Sequence, residues 1–125
     1  MTLAFDENLP PAVAQALALV GHPVTHVVEH LPRGTVDDLL FAEAARREWV
    51  LVTRDANMWR KRAQRAALLQ AGIGVFVIVS STAHSAADLL ALLSRRMSET
   101  VDLMARTRKP FVLRVPDRGK IQPFG

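Results

Sequence analysis

Short apolar runs alternate with helix-period segments along the whole chain, and that alternation restricts the fold more than any other feature. The apolar runs cover residues 2–5, 24–28, 49–53, 75–79 and 111–115. Between them, Val13, Leu17 and Val20, then Leu39, Leu40, Ala44 and Ala45, recur at helical spacing. A longer helical stripe of Leu89, Leu90, Leu93, Met97, Val101 and Met104 predicts a helix over 85–106, closed by Pro110. Strands that alternate with helices predict an α/β fold, a three-layer α/β/α arrangement around a mostly parallel sheet of about five strands. With 125 residues and no internal repeat or linker, one domain over 1–125 is expected.

Local signals refine this reading. Pro10 and Pro11 suit the first turn of a helix, with Asn8 as its N-cap and Gly21 as its stop. Thr35 reads as the N-cap of the second helix. Asp55 or its neighbours open a strongly basic helix that runs on until Gly72. Phe111, Leu113 and Val115 alternate with Val112 and Arg114, as on a strand near a sheet edge. The tail, 117–125, has the composition of a loose or partner-tied end.

Composition removes several chemistries. There are no cysteines, so a disulfide framework, a thiolate metal site and a cysteine nucleophile are excluded, and a reducing cytoplasm is the expected setting. The first residues lack a basic n-region, so no secretory signal is expected. Charges interrupt every helix-like stretch before it reaches membrane-spanning length. The net charge of +4 is carried mostly by arginine, which suits phosphate, although the same charge also serves solubility alone. His22, His26, His30 and His84 show no metal-ligand spacing and read as surface or half-buried residues. No P-loop, dinucleotide fingerprint or G-x-S-x-G turn is present.

Acids sit at the ends of the predicted strands. Asp6 follows the first, Glu29 the second and Asp55 the third, while Asp37 opens the intervening helix. In a parallel α/β sheet the carboxyl ends of the strands form the ligand crevice, and oxygen donors gathered there suit a hard divalent cation. Each acid also has a structural role available. Asp6 can favour the positive end of the next helix, and Asp55 can cap the basic one. With Thr35 as N-cap, Asp38 falls at the third helical position and resembles a capping-box acid. Asp37 has no such duty and is the better ligand, although a slip of one residue stays open. Arg54, Arg60, Lys61, Arg62 and Arg65 then form either a solvated face or a phosphate track beside the site, with Trp59 available for stacking or for packing.

The segments F-D-E-N-L-P-P at residues 5–11, G-T-V-D-D-L-L at 34–40 and L-V-T-R-D at 51–55 together resemble the PIN-like ribonucleases, especially the VapC-type toxins. The resemblance covers most of the chain, and R-A-A-L-L-Q-A-G-I-G-V-F at 65–76 resembles one subgroup with a long C-terminal helix and final strand. It implies a metal-dependent endoribonuclease with Asp6, Asp37 and Asp55 as catalytic carboxylates, Glu29 as a further ligand and Mg²⁺ or Mn²⁺ as cofactor. Family spacing selects Asp37 rather than Asp38. Larger PIN domains take an acid from an extra helix that this chain lacks, so either Glu29 substitutes or the site is thinner. An RNA substrate, a cognate antitoxin protein and a homodimer are the partners implied, with no membrane. Two alternatives remain: a phosphoacceptor receiver domain, with Asp55 as acceptor and Ser81 or Thr82 and Lys109-Pro110 completing its set, and a catalytically impaired RNA- or protein-binding PIN-like domain.

Overall fold

The computed structural model describes residues 1–124 and has a single six-stranded sheet. Strands β1 (Thr2–Phe5), β2 (Val24–His26), β3 (Trp49–Thr53), β4 (Gly74–Val79), β5 (Phe111–Pro116) and β6 (Gln122–Pro123) lie in the order β2-β1-β3-β4-β5-β6. All neighbours are parallel except β5 and β6. Helices α1 (Pro11–Leu19) and α5 (Ala86–Arg106) pack on one face, burying Leu3, Phe5, Val50, Val52, Phe76 and Ile78. Helices α2 (Asp37–Arg47), α3 (Asn57–Arg60) and α4 (Arg62–Ala71) cover the other, over Ala4, Leu51, Val75, Val77 and Val112. The expected three-layer α/β/α architecture is present. Because consecutive strand residues face opposite sides, the central strands, buried on both faces, are continuously apolar.

Strand order reverses between β1 and β3, since β2 and the later strands run outward from that pair in opposite directions. A crevice opens at the carboxyl end of such a sheet at this switch point. The backbone N–H of Asp6 donates to Val52 O at 3.1 Å, which fixes the end of β1 beside the end of β3.

Several local expectations are corrected. β2 stops at His26, and Val27–Glu29 forms a 3₁₀ turn in which Val28 N–H donates to His26 Nδ1 at 3.2 Å. His26, expected near the surface, is fully buried. With Nδ1 accepting, Nε2 carries the proton and donates to Leu9 O at 2.7 Å, tying the loop after β1 to β2. Asn8 does not cap α1. Its backbone N–H donates to Asp6 Oδ1 at 3.0 Å, while Pro10 takes the cap position without a side-chain bond. Thr35 does not cap α2 either. Its hydroxyl donates to Pro32 O at 2.6 Å, and α2 starts at Asp37, so Asp38 is the second helical residue and forms no capping box.

The single basic helix is two, broken where Lys61 is extended (φ −73°, ψ 127°). No glycine or proline marks that break; packing on the sheet overrides a locally helical sequence. α5 begins as expected, with a capping box between Ser85 and Asp88. The tail is tied down by β6 and by Arg96. This buried guanidinium donates to Pro116 O at 3.0 Å and Gly119 O at 2.5 Å and pairs with Glu99.

Candidate active site

Asp6, Glu7, Asp37 and Asp55 line one cavity of about 130 Å³ at the carboxyl ends of β1 and β3, with Asn8, Thr35, Leu40 and Met58 among its other walls. Each acid arrives by a different route. Asp6 is the first residue beyond β1, Asp55 lies two beyond β3, and Asp37 is the first residue of α2. The loop before α2 forms a rim. There Gly34, at φ +77°, directs its N–H to Glu7 Oε1 at 2.6 Å. A positive φ is easily adopted only without a Cβ, so this glycine lets the loop fold back on the carboxylate.

Asp6 is the buried member, at 5 % exposure. Burial pushes its carboxyl up to about 6, reinforced by the nearby Asp55 charge and opposed by hydrogen bonds from the Thr53 hydroxyl and the Asn8 N–H and by His26. Thr53 is fully buried and also accepts the Asp55 N–H at 2.9 Å, so one hydroxyl serves both acids. The Asp55 carboxylate accepts Asn57 N–H at 2.9 Å and so turns the chain into α3. Helix α3 nevertheless takes Ala56 as its cap residue. Asp37 is held by Gln64 of α4, whose Nε2 donates to Oδ2. Gln64 Oε1 is buried with no hydrogen-bond partner among the described residues.

Two sequence expectations do not converge on this cavity. Glu29 lines a different one with Ala14, Ala18 and Leu19 of α1, and its carboxylate accepts the Thr25 hydroxyl at 3.1 Å. The 3₁₀ turn after the edge strand carries it away from the β1–β3 switch point; Glu7 is the fourth acid on the cavity wall. Arg54, expected to face RNA, turns inward. It donates to Ala83 O at 2.6 Å and Ser80 O at 3.2 Å, clamping the loop between β4 and α5. Arg60, Lys61, Arg62 and Arg65 are exposed on α3, α4 and the break between them. Lys109 and Pro110 precede β5, and so lie at the opposite end of the parallel sheet from Asp55, where they cannot complete a phosphoacceptor site.

Thr53, Gln64 and Glu7 were not singled out in the sequence. Thr53 was visible in the T-x-D spacing; Gln64 carries no local signal, because its partner is 27 positions away.

The cavity's charged donors are all hard carboxylate oxygens, with no imidazole on its walls, a set that suits Mg²⁺ or Mn²⁺. Among the described residues no three acids or histidines already stand grouped as they would around one ion. No helix among them is long and apolar enough to cross a membrane. A protein-family model described as "PIN like domain" matches residues 1–80, the segment holding all four cavity acids. No curated protein and no solved structure matches the chain.

Proposed function

The chain belongs to the PIN-like domain family, whose members are typically nucleases, and from that premise we propose a metal-dependent endoribonuclease with Asp6, Asp37 and Asp55 as its catalytic carboxylates. The observation that carries this reading is the meeting of these three acids, with Glu7, on one cavity at the switch point. A bound Mg²⁺ or Mn²⁺ would supply a water of lowered pKa and positive charge beside the scissile phosphate.

The chain's own residues provide the rest. Asp6 and Asp55 would hold the cation from the two strand ends, with Thr53 bonded to both. Asp6, kept protonated to higher pH by burial, would have to release that proton to act as a ligand. Asp37 would join by turning from Gln64, and Glu7, rather than Glu29, would offer the fourth carboxylate. Arg60, Lys61, Arg62 and Arg65 attract the RNA backbone. No side-chain nucleophile is required.

Cleavage of single-stranded RNA with added Mn²⁺ tests the proposal. The wild type should cut, and Asp6→Asn and Asp55→Asn should lose cleavage while still binding RNA. Variants that cut as well as the wild type would refute the assignment. RNA binding without any uptake of Mn²⁺ would favour an impaired, non-catalytic domain. The resemblance of residues 5–11, 34–40 and 51–55 to the VapC group extends the proposal to a toxin that forms a homodimer and is restrained by a cognate antitoxin at the cavity rim. Growth arrest on expression, relieved by Asp55→Asn, is the expected sign.

A further inference from the structure

A second, larger cavity of about 630 Å³ lies on the other side of α3, lined by Trp59, Arg60, Arg65, Val79, Arg114 and Phe124. Its composition is unusual for a surface groove. Two aromatic rings are each faced by a guanidinium, Arg65 over Trp59 at 5.4 Å and Arg60 over Phe124 at 5.8 Å. The third arginine, Arg114, is exposed on β5. Among the described residues none of the three forms an ion pair with a carboxylate, although Arg46, Arg47, Arg96 and Arg106 all do.

The placement follows from the sheet. Val112 and Arg114 face the layer of α2, α3 and α4, but the helices cover only Val112, which is buried. Arg114 stands beyond that cover, paired in register with Val77. Phe124 is brought to the same face by the bond from its N–H to Val112 O at 2.9 Å. Met58 and Trp59 are adjacent on α3. Met58 walls the acid cavity and Trp59 this groove, so α3 borders both. Taking about 4.8 Å per strand, the step from β1 to between β4 and β5 is roughly 12 Å.

We propose that this groove binds one unpaired segment of the nucleic acid whose backbone is cut at the acid cavity, with a base stacked on Trp59 and phosphates on Arg60, Arg65 and Arg114. The inference rests on the nuclease reading for its substrate class and deepens it. A duplex keeps its base faces covered and cannot offer one to an aromatic ring, so the groove selects single strands. Arg114 and Phe124 lie outside the segment matched by the family model, which makes this selectivity a property of this chain's C-terminal strands.

The test is binding without metal, in chelator, where no cleavage occurs. The probe is a short fluorescent single-stranded RNA of mixed sequence, with the matching duplex and polyglutamate as comparisons. Trp59→Ala should weaken binding about 5- to 100-fold, as loss of a stacking platform does. Arg114→Glu, at an exposed position that leaves folding intact, should weaken it about tenfold or more and make its salt dependence shallower by about one. In a Trp49→Phe background the single strand should quench the remaining Trp59 emission and the duplex should not. Wild-type affinity in Arg114→Glu, or unchanged Trp59 emission at saturating RNA, would overturn the proposal. So would polyglutamate binding that Arg114→Glu abolishes and RNA does not displace, because the groove would then belong to an acidic protein. The two readings fail separately. A chain that binds RNA here but never cuts it with Mn²⁺ refutes the nuclease, and one that cuts while its groove variants bind normally refutes the groove.

Discussion

Thr53 Oγ1 accepts the backbone N–H of Asp55 at 2.9 Å, and the same hydroxyl donates a hydrogen bond to the Asp6 carboxyl. One buried side chain thus sets the spacing of two acids 49 positions apart and satisfies both. Thr53→Val keeps the shape and the β-branch while removing the hydroxyl. The Asp55 N–H loses its acceptor and Asp6 its donor. A loss of about 1–3 kcal/mol in urea unfolding is expected. Cleavage should fall as well, because the two strand ends are no longer held together. Unchanged stability would mean that water replaces the hydroxyl.

Asp6 is expected to make the metal-free protein more stable in mild acid. Its folded carboxyl titrates near 6 instead of 3.8, so the folded state binds the proton more tightly than the unfolded chain. The resulting stability is fully present below 3.8 and is lost as pH rises through 6. The difference corresponds to about 3 kcal/mol between those limits. Asp6→Asn removes the titration, and in chelator at pH 7 it should gain about 1–3 kcal/mol. The low end applies if the amide cannot accept the Thr53 proton. A flat difference between wild type and variant from pH 4 to 7 would count against the burial of this charge.

The path from sequence to site was clearest where the information is local. Strand runs with β-branched residues, Gly72 as a helix stop and the long apolar stripe of the 85–106 helix are all decided within a few turns of chain. The end of β1 and the end of β3 could likewise be read from where apolar runs stop. Long-range packing was not legible. Its position after an apolar run points to Glu29, but that strand is at the sheet edge and ends early, in a 3₁₀ turn. Arg54 looked like the first of a basic cluster, and only the folded chain brings the β4–α5 loop within its reach. The pairing of Asp37 with Gln64 and the turn of Phe124 toward Arg60 depend on contacts between segments far apart in the chain, which no window of sequence contains.

Gln64 competes for the carboxylate that a cation would use. Its amide is bonded to Asp37, and its own carbonyl is buried with no donor among the described residues. Gln64→Ala removes the competitor and one unsatisfied oxygen together. Affinity for Mn²⁺, measured by calorimetry, should rise about 2- to 10-fold, the worth of one ordinary hydrogen bond released. Weaker Mn²⁺ binding would reverse the role, making Gln64 the residue that holds Asp37 in its ligating pose.

Arg54 separates a structural guanidinium from a nucleic-acid contact. Both of its bonds go to backbone carbonyls, Ala83 O at 2.6 Å and Ser80 O at 3.2 Å, and it is half-buried. A planar fork can reach two carbonyls at once, whereas an ammonium is a point donor on a flexible stem. Arg54→Ala leaves both carbonyls short of a donor and should cost about 1–3 kcal/mol of stability. Arg54→Lys should recover only part of that. Neither substitution should change the salt dependence of RNA binding, because no phosphate contact is lost. If Arg54→Ala instead made that dependence shallower by about one at unchanged stability, the side chain would have to leave its clamp in solution and meet the RNA backbone.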